Sequence, residues 1–115
     1  ARDDLAAPDL ATLAGLDEAG FRRFFAGTPV KRTGRDRFLR NVMIAVGNSG
    51  SPDLAQAAIA RLEDASPLVR GMAVWACGRL LGRDALLVLH ARHALGEADT
   101  HVQEEWDAAL AGLCP

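Results

Sequence analysis

The chain has 115 residues, 50% of them apolar, with 5 prolines and a formal net charge of −2. That length holds one domain with a real core, and the composition excludes a disordered chain. No uninterrupted apolar stretch approaches the roughly 18 residues needed to cross a bilayer, and no secretory leader is visible.

Residues 17–115 read as a helical domain. No period-two run bounded by turn residues suggests a strand, and abundant Ala favours helix. Asp17 can cap a first helix carrying Phe21, Phe24 and Phe25, which stops near Gly27-Thr28-Pro29. A second helix starts between Gly34 and Asp36 and runs to Gly47. Its Leu39, Val42, Met43 and Val46 follow the i, i+3, i+4, i+7 spacing of one buried stripe. The turn Gly47-Asn48-Ser49-Gly50 supplies residues that tolerate left-handed backbone, with Asn48 satisfying the helix end.

Ser51-Pro52 and Ser66-Pro67 each place an N-cap residue before a proline at the first helical position. The first opens a helix to about Leu62 or Glu63. The second opens one whose stripe is Val69, Met72, Ala73, Ala76 and Leu80. Gly82 ends it, Asp84 can cap the next, and that one reaches Leu95 before Gly96. Asp99 or Thr100 begins the last helix, with Val102, Trp106, Ala109, Leu110 and Leu113 facing inward.

These units repeat. Ala45-Val46-Gly47 matches Ala76-Cys77-Gly78 at a shift of 31, and Val69, Ala73 and Ala76 match Val102, Trp106 and Ala109 at a shift of 33. Helix pairs at such a period predict an all-α solenoid, because one amphipathic pair cannot cover its own apolar face. The run Asp64-Ala-Ser-Pro-Leu-Val-Arg-Gly-Met-Ala-Val-Trp-Ala-Cys-Gly78 resembles a HEAT repeat. In such repeats the arginine, here Arg70, pairs with a loop acid; Asp64 or another loop acid is the expected partner.

Charge is distributed unevenly. Phe21 to Gly50 carries seven of the 13 basic residues and one of the 15 acidic ones, a local charge of +6 against −8 for the rest. A basic segment on an acidic body predicts one face that attracts a polyanion. Lys31, Arg32, Arg35 and Arg37 stand at a loop-to-helix junction, where side-chain charge and free backbone N–H groups meet a phosphate together. Arg40 and Asn41 are open between RNA contact and a structural role. Phe38 reads as a core residue before a stacking platform. His90 and His93 share a helix face, but without a placed carboxylate or thiolate they make a weak metal site. Trp75 and Trp106 fall at core positions. No arrangement of nucleophile, base or phosphate loop marks a stand-alone enzyme. Solenoids also serve as protein scaffolds, so a protein-binding HEAT scaffold is the alternative.

A second set of motifs is more specific. Phe21-x-x-x-Phe25-x-Gly-Thr-Pro-Val-x-Arg32, Arg37-Phe-Leu-Arg-Asn-Val-x-Ile-Ala-Val-Gly-Asn48, Ser66-Pro-Leu-Val-Arg70 and Ala73-x-Trp-Ala76-x-Gly78 resemble the C-terminal HEAT-like domain of epoxyqueuosine reductase, a tRNA-modifying oxidoreductase. The opening Arg2-x-x-Leu5-x-x-Pro8-x-Leu10-x-x-Leu13 also resembles that family's connector leaving its iron–sulfur domain, so residues 1–16 are expected to be a connector from an upstream catalytic domain. The resemblance covers nearly the whole chain. It is strongest from Gly27 to Asn48 and weakest after Leu81. It implies a parent that reduces epoxyqueuosine to queuosine in tRNA, using cobalamin and two four-iron clusters. Two distant cysteines, Cys77 and Cys114, cannot ligate such a cluster, so that chemistry is expected upstream and no cofactor in this chain. The implied partners are a tRNA anticodon arm and the parent's own catalytic domain. The chain, which opens on Ala1, is expected to be a cytoplasmic, monomeric segment of that longer protein.

Overall fold

The computed structural model describes residues 13–15 and 32–112. The predicted helix carrying Phe21, Phe24 and Phe25 lies outside the described residues. Every regular element among them is helical: α1 (Arg32–Asn48), α2 (Ala55–Ala60) between the 3₁₀ turns Pro52–Leu54 and Arg61–Glu63, α3 (Pro67–Leu80), α4 (Arg83–His93) and α5 (Thr100–Ala111).

The expected stripe organises α1. Leu39, Met43 and Val46 are sealed and Val42 is nearly so. Stepping back from Leu39 by one turn puts Arg35 on the same stripe, with consequences described below. The helix stops through Ser49, whose N–H and Oγ–H both donate to the Val46 carbonyl, at 3.2 and 2.6 Å. Asn48 is the last helical residue and is exposed, so it is Ser49 that caps this end. Among the described residues only Gly50 takes a positive φ, +68°.

Ser51 and Ser66 occupy N-cap positions on extended backbone ahead of Pro52 and Pro67, but neither hydroxyl makes a capping bond. The pre-set φ of each proline, rather than a side-chain cap, starts these helices. Asp99 does cap: its Oδ1 accepts from the Val102 N–H at 3.0 Å. Gly82 stands at the N-cap of α4, with Asp84 in the first turn. That helix ends at His93, two residues before the fully exposed Leu95.

The central element is α3, which packs against α1 on one side and α5 on the other while α2 lies across it; α4 packs on α5. Burial from two sides is why its inward set outgrows one stripe. Val69, Gly71, Ala73, Val74, Ala76 and Cys77 are all buried, and Met72 and Leu80 are only partly so. Small residues set the spacing. A Cβ on Gly47 would overlap the ring of Trp75 on α3, and one on Gly78 would lie 3.2 Å from the Ala109 Cβ on α5. The two repeat-related glycines therefore do the same work at successive interfaces. Trp106 is buried, with His90 edge-on to it at a centroid distance of 5.6 Å. Trp75 is partly buried under the Arg79 guanidinium, 5.5 Å from the ring centroid. Ala14 is buried in the same core and Leu13 packs against it, so these two residues of the expected connector belong to this hydrophobic unit.

Candidate nucleic-acid interface

Two repeated ionic clamps fix the edges of the helix row. Asp64, in the loop before α3, has a side chain only 1% exposed. Its Oδ1 and Oδ2 accept from Arg35 Nη2 at 2.6 Å and Nη1 at 3.0 Å, from Arg61 Nη1 at 2.9 Å, and from the Ser66 N–H at 2.9 Å. Glu97, in the loop before α5, repeats the pattern. It accepts from Arg70 Nε at 2.8 Å and Nη2 at 2.9 Å, and from the Asp99 N–H at 3.0 Å. In each case an arginine near the start of one inner helix grips the acid that opens the next, and that acid also ties down the residue two positions on. Arg70 thus pairs with Glu97. It touches Asp64 only through the backbone carbonyl, at 2.9 Å, because the Asp64 carboxylate is taken by Arg35 and Arg61.

Burial works to raise the Asp64 carboxyl, but the hydrogen bonds from Arg35 and Ser66 and the charges of Arg35 and Arg61 outweigh it and hold the group below the usual range. The Arg70 hydrogen bonds likewise hold Glu97 low. Arg35 is shifted up chiefly by its hydrogen bonds to Asp64.

These clamps sort the predicted phosphate contacts. Lys31 and the side chain of Arg32 lie outside the described residues; Arg32 is the first residue of α1. Arg35 is 8% exposed and its guanidinium is committed to Asp64 and Asp36, so it holds helices rather than facing solvent. Arg37 is exposed. Its neighbours one turn on, Arg40 and Asn41, stand with it and with Leu68 of α3 around an open cleft of about 430 Å³. Arg40 Nη1 donates to Asn41 Oδ1 at 3.4 Å. The residues read as undecided are therefore the ones that join Arg37. The i, i+3, i+4 spacing of 37, 40 and 41, opposite the buried stripe, was the signal for this face. Leu68, 44% exposed, carried no such signal, because its place depends on α3 crossing α1. Phe38 is partly buried and packs on the core.

The cleft shares Leu68 with a second groove that carries acidic residues. Beyond Leu68 the surface continues as a groove between α3 and α5, floored by Gly71, Met72 and Ala108 and edged by His101, Glu104 and Glu105. Burial and the neighbouring charge of Glu104 push the Glu105 carboxyl up. A larger open pocket of about 860 Å³ is lined in part by Leu62, Leu89, Arg92 and Glu97. Its Arg70 is already held by Glu97.

No group of three His, Cys, Asp or Glu among the described residues can hold a metal. Cys77 is sealed in the core and burial pushes its thiol up to about 12, which disfavours the thiolate that a cluster requires. The described residues therefore do not fit an iron–sulfur centre. No helix among them is long and apolar enough to cross a membrane.

Comparison with known proteins supplies the context for this surface. The chain is 43% identical over 77 residues to an epoxyqueuosine reductase of Xanthomonas campestris pv. campestris, a match covering 66% of this chain and 22% of that protein. It is 42% identical over 84 residues to that of Alicycliphilus denitrificans, covering 66% and 23%, and 30% identical over 82 residues to that of Shigella dysenteriae serotype 1, covering 71% and 22%. The chain fits a fragment of an epoxyqueuosine reductase. It spans under a quarter of the length of these epoxyqueuosine reductases. No family model and no solved structure matches.

Proposed function

We propose that this chain is an accessory RNA-holding segment of a tRNA-modifying epoxyqueuosine reductase, built as a HEAT-like solenoid, with the anticodon arm of tRNA as its partner. The observation that carries the reading is the convergence of Arg37, Arg40 and Asn41 on one exposed cleft, at the basic end of a chain that is otherwise acidic. The repeated clamps of Arg35 on Asp64 and Arg70 on Glu97 support the solenoid.

The chain's own residues contribute binding and orientation. Arg37 and Arg40 meet phosphate charge, the N-terminus of α1 adds backbone donors at Arg32 with Lys31 beside it, and Glu104 and Glu105 repel a strand that strays across α3. Reduction of the epoxide, with cobalamin and two four-iron clusters, belongs in this reading to the part of the relatives that the chain does not span. That catalytic part is the second partner, in a cytoplasmic setting.

The test is a titration of the chain against an anticodon stem-loop RNA at several salt concentrations. Each neutralised phosphate adds about 0.7–0.9 to the magnitude of the log–log slope. Replacing Arg37 and Arg40 together by Ala should weaken binding and flatten the slope by about 1.4–1.8. Unchanged affinity and slope in that variant would discard the reading. A protein scaffold is favoured by one different observation, the apolar floor of the α3–α5 groove. It predicts a stoichiometric protein partner that survives nuclease treatment.

A further inference from the structure

The cleft is more than a pair of charges. Among the described residues, those that line it, Arg37, Arg40, Asn41 and Leu68, come from two helices and differ in chemistry: two cations, one amide and one exposed aliphatic surface. A site for free phosphate makes no use of the leucine. Together these residues match a nucleotide, which offers an anion at one end and a flat apolar face with a polar edge at the other. At about 430 Å³ the cleft falls at the small end of the range for small-molecule sites. That size suits one nucleotide.

We propose that this cleft receives a single unpaired nucleotide of the bound RNA, its phosphate between Arg37 and Arg40, its base laid on Leu68 and its base edge on Asn41. The amide has a defined polarity for this. Asn41 Oδ1 accepts from Arg40 Nη1, which leaves the Nδ2–H₂ group to donate to a base carbonyl or ring nitrogen. Arg40 thus orients Asn41 and contacts the phosphate. Leu68 stands at the start of α3, directly after Pro67, on a segment anchored by the Ser66 N–H on Asp64, so the platform is held by the same clamp that holds α1. A base lifted from its own stack is the form in which proteins read RNA loops. The acidic rim at Glu104 and Glu105 bars the next phosphate from continuing along the groove.

This inference rests on the RNA-holding reading and adds to it the preference for an unpaired base. The experiment uses the 115-residue chain and two RNAs of equal length, a stem-loop with 2-aminopurine at an unpaired loop position and a duplex with the same base paired. Binding is followed by anisotropy and the base by its fluorescence, which rises when it leaves its stack. The expected result is a fluorescence rise with the stem-loop only. Covering the exposed face of one leucine corresponds to about a tenfold change in Kd. Leu68→Ser should therefore lower affinity for the stem-loop by about tenfold, bring it near that for the duplex, and abolish the fluorescence rise, with the salt slope unchanged. Asn41→Ala should reduce the rise with the slope again unchanged. Both positions are exposed, and helical circular dichroism identical to the parent's establishes that they fold. Salt-dependent binding of both RNAs with equal affinity, or a fluorescence rise that survives Leu68→Ser, would overturn the nucleotide site while leaving the phosphate reading in place. No binding of either RNA would overturn both.

Discussion

Removal of the Asp64 carboxylate is the sharpest test of how this chain holds together. Asp64 accepts four hydrogen bonds, three of them from the guanidinium groups of Arg35 and Arg61 and one from the Ser66 N–H. Its side chain is 1% exposed and that of Arg35 10%. The Nε atoms of Arg35 and Arg61 are already buried without a partner, so neither guanidinium has spare satisfaction to fall back on. Asp64→Ala leaves the buried Arg35 guanidinium with only the Asp36 contact at 3.1 Å, and loss of one partner of a buried pair costs about 3–5 kcal/mol. A domain of this size is stable by about 5–15 kcal/mol in all. With about 4–8 °C of melting temperature per kcal/mol, the midpoint should fall by about 12–40 °C. The assay is urea and thermal unfolding followed by helical circular dichroism, with Arg35→Met and the double variant Arg35→Met/Asp64→Leu alongside. Replacing both partners removes the stranded Arg35 charge, so the double variant should recover part of the loss, the remainder being the contacts of Arg61 and the Ser66 N–H to Asp64. A single-variant cost below about 1 kcal/mol would place the pair among surface ion pairs, and no recovery in the double variant would refute the reasoning even if the single cost is large.

Further outcomes follow from the same contacts. Gly47→Ala drives a methyl group into the Trp75 ring and should cost about 1–3 kcal/mol, whereas Gly78→Ala meets Ala109 at 3.2 Å and should cost less; the order of the two urea midpoints checks this. Asp64 and Glu97 have folded pKa values below their ordinary ones, so the stability they add is complete above the unfolded carboxylate pKa of about 4 and is lost as pH falls through the lower folded values. Urea midpoints should therefore be flat above about pH 5 and decline below it. The decline should be shallower in the Arg35→Met/Asp64→Leu variant, and equal slopes would show that Asp64 does not carry it.

What the sequence made legible and what it did not have a common cause. Element order, the stripe of α1, the proline-led starts and the repeat were readable because each depends on neighbours within one or two helical turns. The repeat even predicts the equivalence of Gly47 and Gly78, which the structure bears out at two interfaces. Arg35 was misplaced because charge was weighed before periodicity: it lies one turn before Leu39, on the buried stripe, where an arginine must be paired. The loop acid expected for Arg70 is Glu97 rather than the nearer Asp64, because the clamp runs forward to the acid of the following loop. Leu68 joined the site only through the crossing of α3 over α1, which no local pattern encodes.

The clamp and the cleft are linked through α1. Arg35 and Arg37 are two residues apart and point to opposite sides of one helix. The first closes the core side onto Asp64, and the second opens onto the cleft with Arg40 and Asn41. Because Asp64 also fixes Ser66, it determines where Pro67 starts α3 and therefore where Leu68 stands against Arg37. One carboxylate thus sets the register between the cationic and apolar halves of the proposed nucleotide site. Long-range charge attraction does not need that register, since two arginines on any surface of α1 attract a polyanion. Contact with one base does, because a gap of about 1 Å already forfeits up to about half of the dispersion attraction between ring and platform. An Asp64 variant that stays folded at low temperature should therefore keep salt-dependent RNA binding and lose the preference for an unpaired base, a dissociation that a purely electrostatic surface does not produce.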